Sequence, residues 1–116
     1  TGGRLPTWLA PEQVRIINIT EQQTAYCQNV AATLRADGIR THVDARNEKL
    51  GFKIREAQLQ KVPYMLVIGA KEADTSTVSV RLRDGRNLNN YSVEAFIHSI
   101  GSEIKQRSLA PLLVGP

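Results

Sequence analysis

Residues 14–45 read VRIINITEQQTAYCQNVAATLRADGIRTHVDA. The run VRIINI at 14–19 is short and apolar, which is typical of a buried strand. Thr20 and Gln23 then have the spacing of a capping box, which predicts a helix over 21–36. A strand that leads directly into a capped helix is the opening of an α/β unit.

The same pattern continues after this helix. Gly38 is a helix stop signal, and apolar and polar residues then alternate over 39–45, as in a half-exposed strand with Asp44 facing outwards. A second helix is predicted over about 49–61, because the residue before Pro63 is disfavoured in a helix. The order is therefore strand, helix, strand, helix.

The remaining elements make the sheet mixed. They are a buried strand at 64–69, a polar loop at 70–76, a strand at 77–83, a tight turn at Asp84-Gly85, a short edge strand at 86–90 and a last helix capped by Ser92. Alternating strands and helices predict a right-handed parallel α/β core, to which the late hairpin adds antiparallel strands. In such sheets, ligands bind beyond the carboxyl ends of the strands.

Length and composition place the chain among ordinary globular domains. It has 116 residues, of which 41% are hydrophobic, enough for one domain with its own core. It has no apolar run of membrane-spanning length and no signal-peptide pattern. With one cysteine, Cys27, an internal disulfide and a cysteine-based metal cluster are both excluded. We therefore expect a cytoplasmic or otherwise reducing compartment.

The chain divides into three parts. Residues 1–13 are expected to be a connector that packs Trp8 onto the domain, residues 14–108 to be the domain, and residues 109–116 to be a tail. Because the first residue is Thr1 and not Met, we expect a piece of a longer protein.

Catalytic motifs are missing from the sequence. It has neither a GxGxxG nor a phosphate-binding P-loop motif. His42 and His98 lie on different predicted elements, without a metal-ligand spacing, and Cys27 lies on the apolar side of a helix. We therefore predict no catalytic residue, no metal site and no cofactor in this chain.

The positive charge is concentrated in the middle of the chain. Residues 40–86 hold ten basic and six acidic residues, which accounts for the whole net charge of +4. Such an excess indicates either a face that binds a polyanion or a solvated surface of mixed charge.

Within this region, RNEKLGFKIRE at 46–56 combines several candidate binding residues. Asn47 is either the N-cap of the second helix or an amide that contacts a phosphate or a base. Gly51 costs about 1 kcal/mol in a helix relative to alanine, which suggests the close approach of a bulky group. Phe52 is either a stacking platform or part of the core. The cations that we expect to contact phosphates are Lys49, Lys53 and Arg55.

Three further candidates follow the second helix. Glu72, in the predicted loop, either accepts a hydrogen bond from a base or only solubilises the loop. Arg81 and Arg83 share the outer face of their strand, where a guanidinium can contact guanine with two hydrogen bonds. The alternative for Arg81 is a pair with Asp84 or exposure to solvent.

These stretches resemble one protein family over nearly the whole chain. The matching segments are PTWLAPEQV (6–14), DARNEKLGFKIRE (44–56), KVPYMLVIGAKE (61–72) and VSVRLRDG (78–85). Together they are similar to the C-terminal anticodon-binding domain of bacterial threonyl-tRNA synthetases, which are class II aminoacyl-tRNA synthetases. The resemblance implies a mixed, roughly five-stranded sheet flanked by three helices.

The resemblance also implies a function. The domain would hold the anticodon stem-loop of threonine tRNAs, whose last two anticodon bases are G and U. The positions that match the family's anticodon contacts are Asn47, Arg55, Glu72 and Arg81. Proximity adds further candidate RNA contacts, which are Lys49, Phe52, Lys53 and Arg83.

The parent enzyme implied by the resemblance is a threonine–tRNA ligase. It would be a homodimer that uses zinc and Mg-ATP in a catalytic domain upstream of this chain. Two alternatives are a freestanding or accessory nucleic-acid-binding paralogue without aminoacylation activity, and a regulatory domain that binds a small ligand. The missing glycine-rich loop argues against the regulatory domain.

Overall fold

A mixed five-stranded sheet lies at the centre of the computed structural model, which describes residues 5–107. Its strands are β1 (Val14–Asn18), β2 (Thr41–Asp44), β3 (Tyr64–Ile68), β4 (Thr77–Leu82) and β5 (Asn87–Ser92). Their order across the sheet is β2-β1-β3-β4-β5. β1 pairs in parallel with β2 and β3, whereas β4 is antiparallel to β3 and β5. The predicted mixed sheet is confirmed, and β5 is longer than the expected edge strand.

Helices cover both faces of the sheet. The α-helices are α1 (Thr24–Ala36), α2 (Leu50–Leu59), α3 (Ala70–Thr75) and α4 (Val93–Lys105), and short 3-10 helices span Thr7–Leu9 and Glu21–Gln23. The resemblance implied three helices, and the additional one, α3, forms where we predicted a loop. No helix within residues 5–107 combines the length and the apolar character needed to cross a membrane.

The predicted local signals begin and end the helices. The capping box is present: the Thr20 hydroxyl accepts from a backbone N–H, and the Thr20 N–H donates to Gln23 Oε1 at 2.9 Å. It opens the 3-10 turn that precedes α1. Gly38 ends α1 in the left-handed region with φ of +81°. The Ser92 hydroxyl caps α4 by accepting from the Ala95 N–H at 3.2 Å.

The main core lies between the sheet and helices α1 and α4. Alternate residues of the central strands face it, and the Tyr64 and Phe96 rings meet edge to face at 5.4 Å. Its largest fully buried apolar side chains are Ile16, Leu34, Ile39, Tyr64, Leu66, Ile68, Phe96 and Ile100. From α4, Phe96 and Ile100 are buried in this core.

The other face of the sheet is only partly covered. There α2 packs chiefly against β1, around a small cluster that includes Ile17, Ala57 and Met65. The α2 side of β4 carries Ser79 and Arg81, which are half-buried. An open strip of sheet therefore lies beside α2, on the side of β4.

Residues 5–13, the described part of the predicted connector, lie against the rest of the domain, as expected for Trp8. The Arg107 guanidinium lies 5.4 Å from the centre of the Trp8 ring. Arg40 donates to the carbonyl oxygens of Trp8 and Ala10, and Gln13 Nε2 donates to the Thr7 carbonyl at 3.0 Å. The predicted tail at 109–116 lies outside the described residues.

Candidate nucleic-acid interface

The loops that follow the three parallel strands meet at one edge of the sheet, which we call the carboxyl edge. They begin at Ile19 after β1, at residue 45 after β2 and at Gly69 after β3. β2 and β4 are separated by two strands, so this edge and the adjoining open strip extend over about 14 Å. That span fits an extended ligand better than a small one.

The loop after β2 is held by Arg46. Its guanidinium donates two hydrogen bonds of 2.8 Å to the Asp44 carboxylate and another to Glu56 on α2. We expected Asp44 to face outwards, but it is buried, because this arginine neutralises it. The hydrogen bonds from Arg46 lower the pKa of Asp44 below its ordinary value.

Asn47 is exposed in this loop and does not cap α2. The N-cap position is Lys49, which makes no side-chain cap hydrogen bond. The interpretation of Asn47 as an N-cap is therefore wrong, and its amide faces solvent together with Lys49. Phe52 is also not part of the core: it is 46% exposed, with the Arg46 guanidinium 5.7 Å from the centre of its ring.

Lys53 was expected to contact phosphates, but it is 2% exposed. Its Nζ donates to Asn18 Oδ1 at 2.8 Å and to the carbonyl oxygens of Asn18 and Asp44 at 3.3 Å each. Lys53 lies one turn from Leu50 and Ala57 on the inward side of α2, so its stem passes through the interior. The prediction for Lys53 is corrected: it ties α2 to the ends of β1 and β2, and its ammonium is not accessible to RNA.

Glu72 lies in the first turn of α3 and not in a loop. Its Oε1 accepts from the Gly69 N–H at 2.7 Å, and its Oε2 accepts from the Ser79 hydroxyl at 3.1 Å. The carboxylate is therefore fixed between the carboxyl edge and β4, and the interpretation of Glu72 as a residue that only solubilises a loop is wrong.

Arg81 lies near Glu72 on the same side of the sheet. It is paired with Met65, which packs under α2, and it is two residues from Ser79, a distance of about 6.6 Å along the strand. Within residues 5–107, the Arg81 side chain makes no hydrogen bond or ion pair; Asp84 binds Arg86 instead, at 2.9 Å. A guanidinium without a partner therefore stands beside a fixed carboxylate.

Helical geometry places Arg55 on the opposite side of the open strip. Glu56 contacts Arg46 beside β2, whereas Gln58 lines a cavity with Leu82 of β4. Arg55 is three residues before Gln58, so it lies on the flank of α2 that faces β4, and it is exposed.

Gly51 continues this flank one turn earlier. A Cβ built at Gly51 meets no atom within 4 Å, so the chain itself does not require a glycine there. If a bulky group approaches Gly51, as expected from the sequence, it therefore belongs to another molecule.

Arg83 lies away from the carboxyl edge, towards the other end of the strip. Its Nη1 is 3.5 Å from the Lys61 carbonyl, and it lines a cavity of about 240 Å³ with Met65 and Gln58. The structure therefore brings together Glu72 and Arg81, with Arg55 across the strip, and leaves Arg83 at its far end.

Ile19 is a surface residue of this edge that the sequence did not single out. It is 46% exposed, and a Cβ at Gly69 would lie 2.7 Å from its Cδ1, so the glycine permits the contact. The signal in the sequence that could have identified Ile19 is its position: it is an apolar residue directly after Asn18, where β1 ends.

The groups considered for catalysis do not assemble. Cys27 is buried, which raises the pKa of its thiol to about 11. His42 and His98 are exposed on different elements. Among residues 5–107, no group of three or more His, Cys, Asp or Glu side chains could hold a metal ion.

Comparison with known proteins identifies the family. A family model described as "Anticodon binding domain" matches residues 13–103. The chain belongs to the anticodon-binding domain family. The resemblance seen in the sequence is confirmed, and this domain is of the threonyl-tRNA synthetase type.

Individual relatives agree with this family. The chain is 54% identical over 103 residues to the threonine–tRNA ligase of Citrifermentans bemidjiense, covering 89% of the chain and 16% of that protein. It is 52% identical over 106 residues to that of Clostridium botulinum, covering 91% and 17%. The chain thus spans about a sixth of the length of these curated relatives.

Solved structures share the fold. The RNA-binding domain of threonyl-tRNA synthetase from Cryptosporidium parvum superposes with a TM-score of 0.81 at 34% identity, over 88% of this chain and 26% of that one. A prolyl-tRNA synthetase of the same organism gives 0.78 at 27% identity, over 91% and 24%. These comparisons support a synthetase domain and give no support to a freestanding paralogue.

Proposed function

We propose that the open strip and the carboxyl edge of this anticodon-binding domain bind the anticodon loop of threonine tRNA. The observation that carries the proposal is the unpaired Arg81 guanidinium beside the fixed Glu72 carboxylate, on a part of the sheet that α2 leaves uncovered. A guanidinium that donates hydrogen bonds and a neighbouring carboxylate that accepts them are suited to the hydrogen-bonding edges of unpaired bases.

The two groups complement the G and U that end threonine anticodons. Arg81 can donate two hydrogen bonds to O6 and N7 of guanine. Glu72 can accept from the N3–H of uracil, because a carboxylate has about four acceptor sites and the two neighbours of Glu72 occupy two.

The surrounding residues supply stacking and charge. Phe52 and Ile19 are exposed at the carboxyl edge, where bases can stack or pack against them. We further propose that exposed Asn47 offers its amide to a base, that Arg55 contacts the RNA from the flank of α2, and that exposed Lys49 contacts a phosphate.

The chemistry of the parent protein belongs to the same proposal. We infer a cytoplasmic, homodimeric ligase that joins threonine to its tRNA, in which this domain selects the tRNA and contacts the catalytic domain. In this proposal, zinc and Mg-ATP belong to the part of the relatives' length that this chain does not span.

The test measures binding of RNA hairpins that carry the threonine anticodon or one changed at the middle base. Arg81→Ala should reduce the ratio of the two affinities by about 5- to 150-fold, since one direct base contact discriminates by about 1–3 kcal/mol. The matched control is Arg86→Ala, an arginine of the β4–β5 hairpin that binds Asp84. An unchanged ratio in Arg81→Ala would exclude Arg81 from base recognition.

A further inference from the structure

A second groove lies on the other side of α2, along the outer edge of β2. It has a volume of about 830 Å³. Arg15 and His42 line it from the strands, Glu56 lines it from α2, and Gln60 lines it from the C-cap of α2. Because α2 separates this groove from the open strip, a ligand in the groove would not occupy the strip.

The carboxylates of this groove are already paired with arginines. Glu12 binds Arg15 at 2.7 Å, and Asp44 and Glu56 both bind Arg46. Buried Lys53 lies close enough to lower the pKa of Asp44 further. The acidic side chains therefore leave little negative charge for the remaining cations of the groove.

Arg35 and Arg40 are those remaining cations. Arg35 donates to the Thr41 carbonyl through Nε at 3.2 Å and Nη2 at 3.0 Å. Arg40 donates to the Ala10 carbonyl through Nε at 3.0 Å and Nη2 at 2.8 Å. Neutral carbonyls fix the two guanidinium planes without neutralising them, and neither Nη1 has a partner within residues 5–107.

We propose that Arg35 and Arg40 bind a phosphate of the tRNA backbone. Two exposed guanidinium groups held in fixed orientations match the charge and the geometry of a phosphate. The groove also reaches Arg46, which lies over Phe52 beside Asn47, so a strand that crosses the carboxyl edge can continue into it. The inference rests on the proposed tRNA function.

The first experiment measures the affinity for the anticodon hairpin at salt concentrations from about 50 to 200 mM. Arg35→Gln and Arg40→Gln should each reduce the log–log salt slope, by about one when the two are combined because the pair binds one phosphate, and should weaken matched and mismatched hairpins equally. Arg35→Lys and Arg40→Lys, which keep the charge, should retain most of the slope. Lys105→Gln removes an exposed cation from α4, outside the groove, and should leave the slope unchanged.

The second experiment follows the Nε–H signals of Arg35 and Arg40 by NMR during titration with inorganic phosphate, and with acetate at equal ionic strength. Phosphate should shift both signals and acetate should not. A larger effect of acetate would indicate a carboxylate-bearing protein partner and overturn the proposal.

The two experiments distinguish this inference from the proposed function. If the wild-type chain selects the threonine anticodon but the slope is unchanged in both glutamine variants, the groove proposal fails alone. If the chain binds no hairpin, the proposed function fails. A phosphate-specific NMR shift would then still support an anion site, but not its assignment to tRNA. The absence of any shift would refute the site itself.

Discussion

Replacing Gly51 by alanine should move stability and RNA binding in opposite directions. Gly51 lies in the first turn of α2 with ordinary helical φ, and an added Cβ meets no atom within 4 Å. Alanine therefore introduces no clash, and it should stabilise the fold by about 0.5–1 kcal/mol because glycine loses more backbone entropy on folding. For a domain of this size the melting temperature should rise by about 2–6 °C.

RNA binding should weaken in the same variant. Gly51 is on the flank of α2 that faces the open strip, one turn before Arg55. A methyl group that intrudes on a packed ligand costs about 1–3 kcal/mol, so we expect the affinity for the threonine anticodon hairpin to fall about 5- to 150-fold.

The assay combines thermal unfolding with hairpin binding, and Gly101→Ala is the matched control. Gly101 lies within α4, where an added Cβ would make an ordinary contact, 3.9 Å from Asp37 Oδ2. Gly101→Ala should therefore also stabilise the fold, but leave RNA affinity unchanged. If Gly51→Ala bound RNA as tightly as the wild type, no ligand would approach this flank, and the reasoning would be refuted.

Two further predictions concern the residues that hold the carboxyl edge. Lys53→Met should destabilise the fold by about 2–3 kcal/mol in urea unfolding, because Asn18 Oδ1 and two carbonyl groups lose a buried donor. The control Lys49→Met, at an exposed position, should change stability by less than about 0.5 kcal/mol. Equal stability of the two variants would contradict the role of Lys53. The second prediction concerns stability in acid. Hydrogen bonds from Arg46 lower the folded-state pKa of Asp44 below the ordinary 3.8, so the ionised carboxylate stabilises the fold above about pH 4. This contribution is lost as the pH falls through the lowered pKa. Between about pH 2.5 and 7, the melting temperature of Asp44→Asn should therefore fall less steeply with acid than that of the wild type. The exposed control Asp74→Asn should follow the wild type. If the melting temperatures of Asp44→Asn and the wild type fell equally at low pH, this would count against the pairing of Asp44 with Arg46.

Elements with local signals were predictable from the sequence. The Thr20–Gln23 capping box, the left-handed Gly38 and the Ser92 cap each act within a few residues, so the helix limits they define are visible in the chain. The strict alternation of β4 likewise placed Arg81 on the outer face. By contrast, α3 has six residues, too few for a helical period to appear, and the Glu72 side chain helps to stabilise its start.

The parts of the site that local patterns did not reveal depend on contacts distant in sequence. Lys53 is buried because Asn18, 35 residues earlier, presents two oxygen atoms to its ammonium, and no local pattern contains that information. The position of Arg55 opposite Arg81 requires the strand order and the packing of α2 on β1, neither of which follows from spacing.

The buried Lys53 ammonium has a kinetic consequence for recognition. Because it joins α2 to the ends of β1 and β2, the protein side of the contact surface is assembled before any ligand arrives. A preassembled surface adds little ordering cost to binding. Matched and mismatched RNA should therefore associate at similar rates, and discrimination between them should lie in how long each complex lasts before it dissociates.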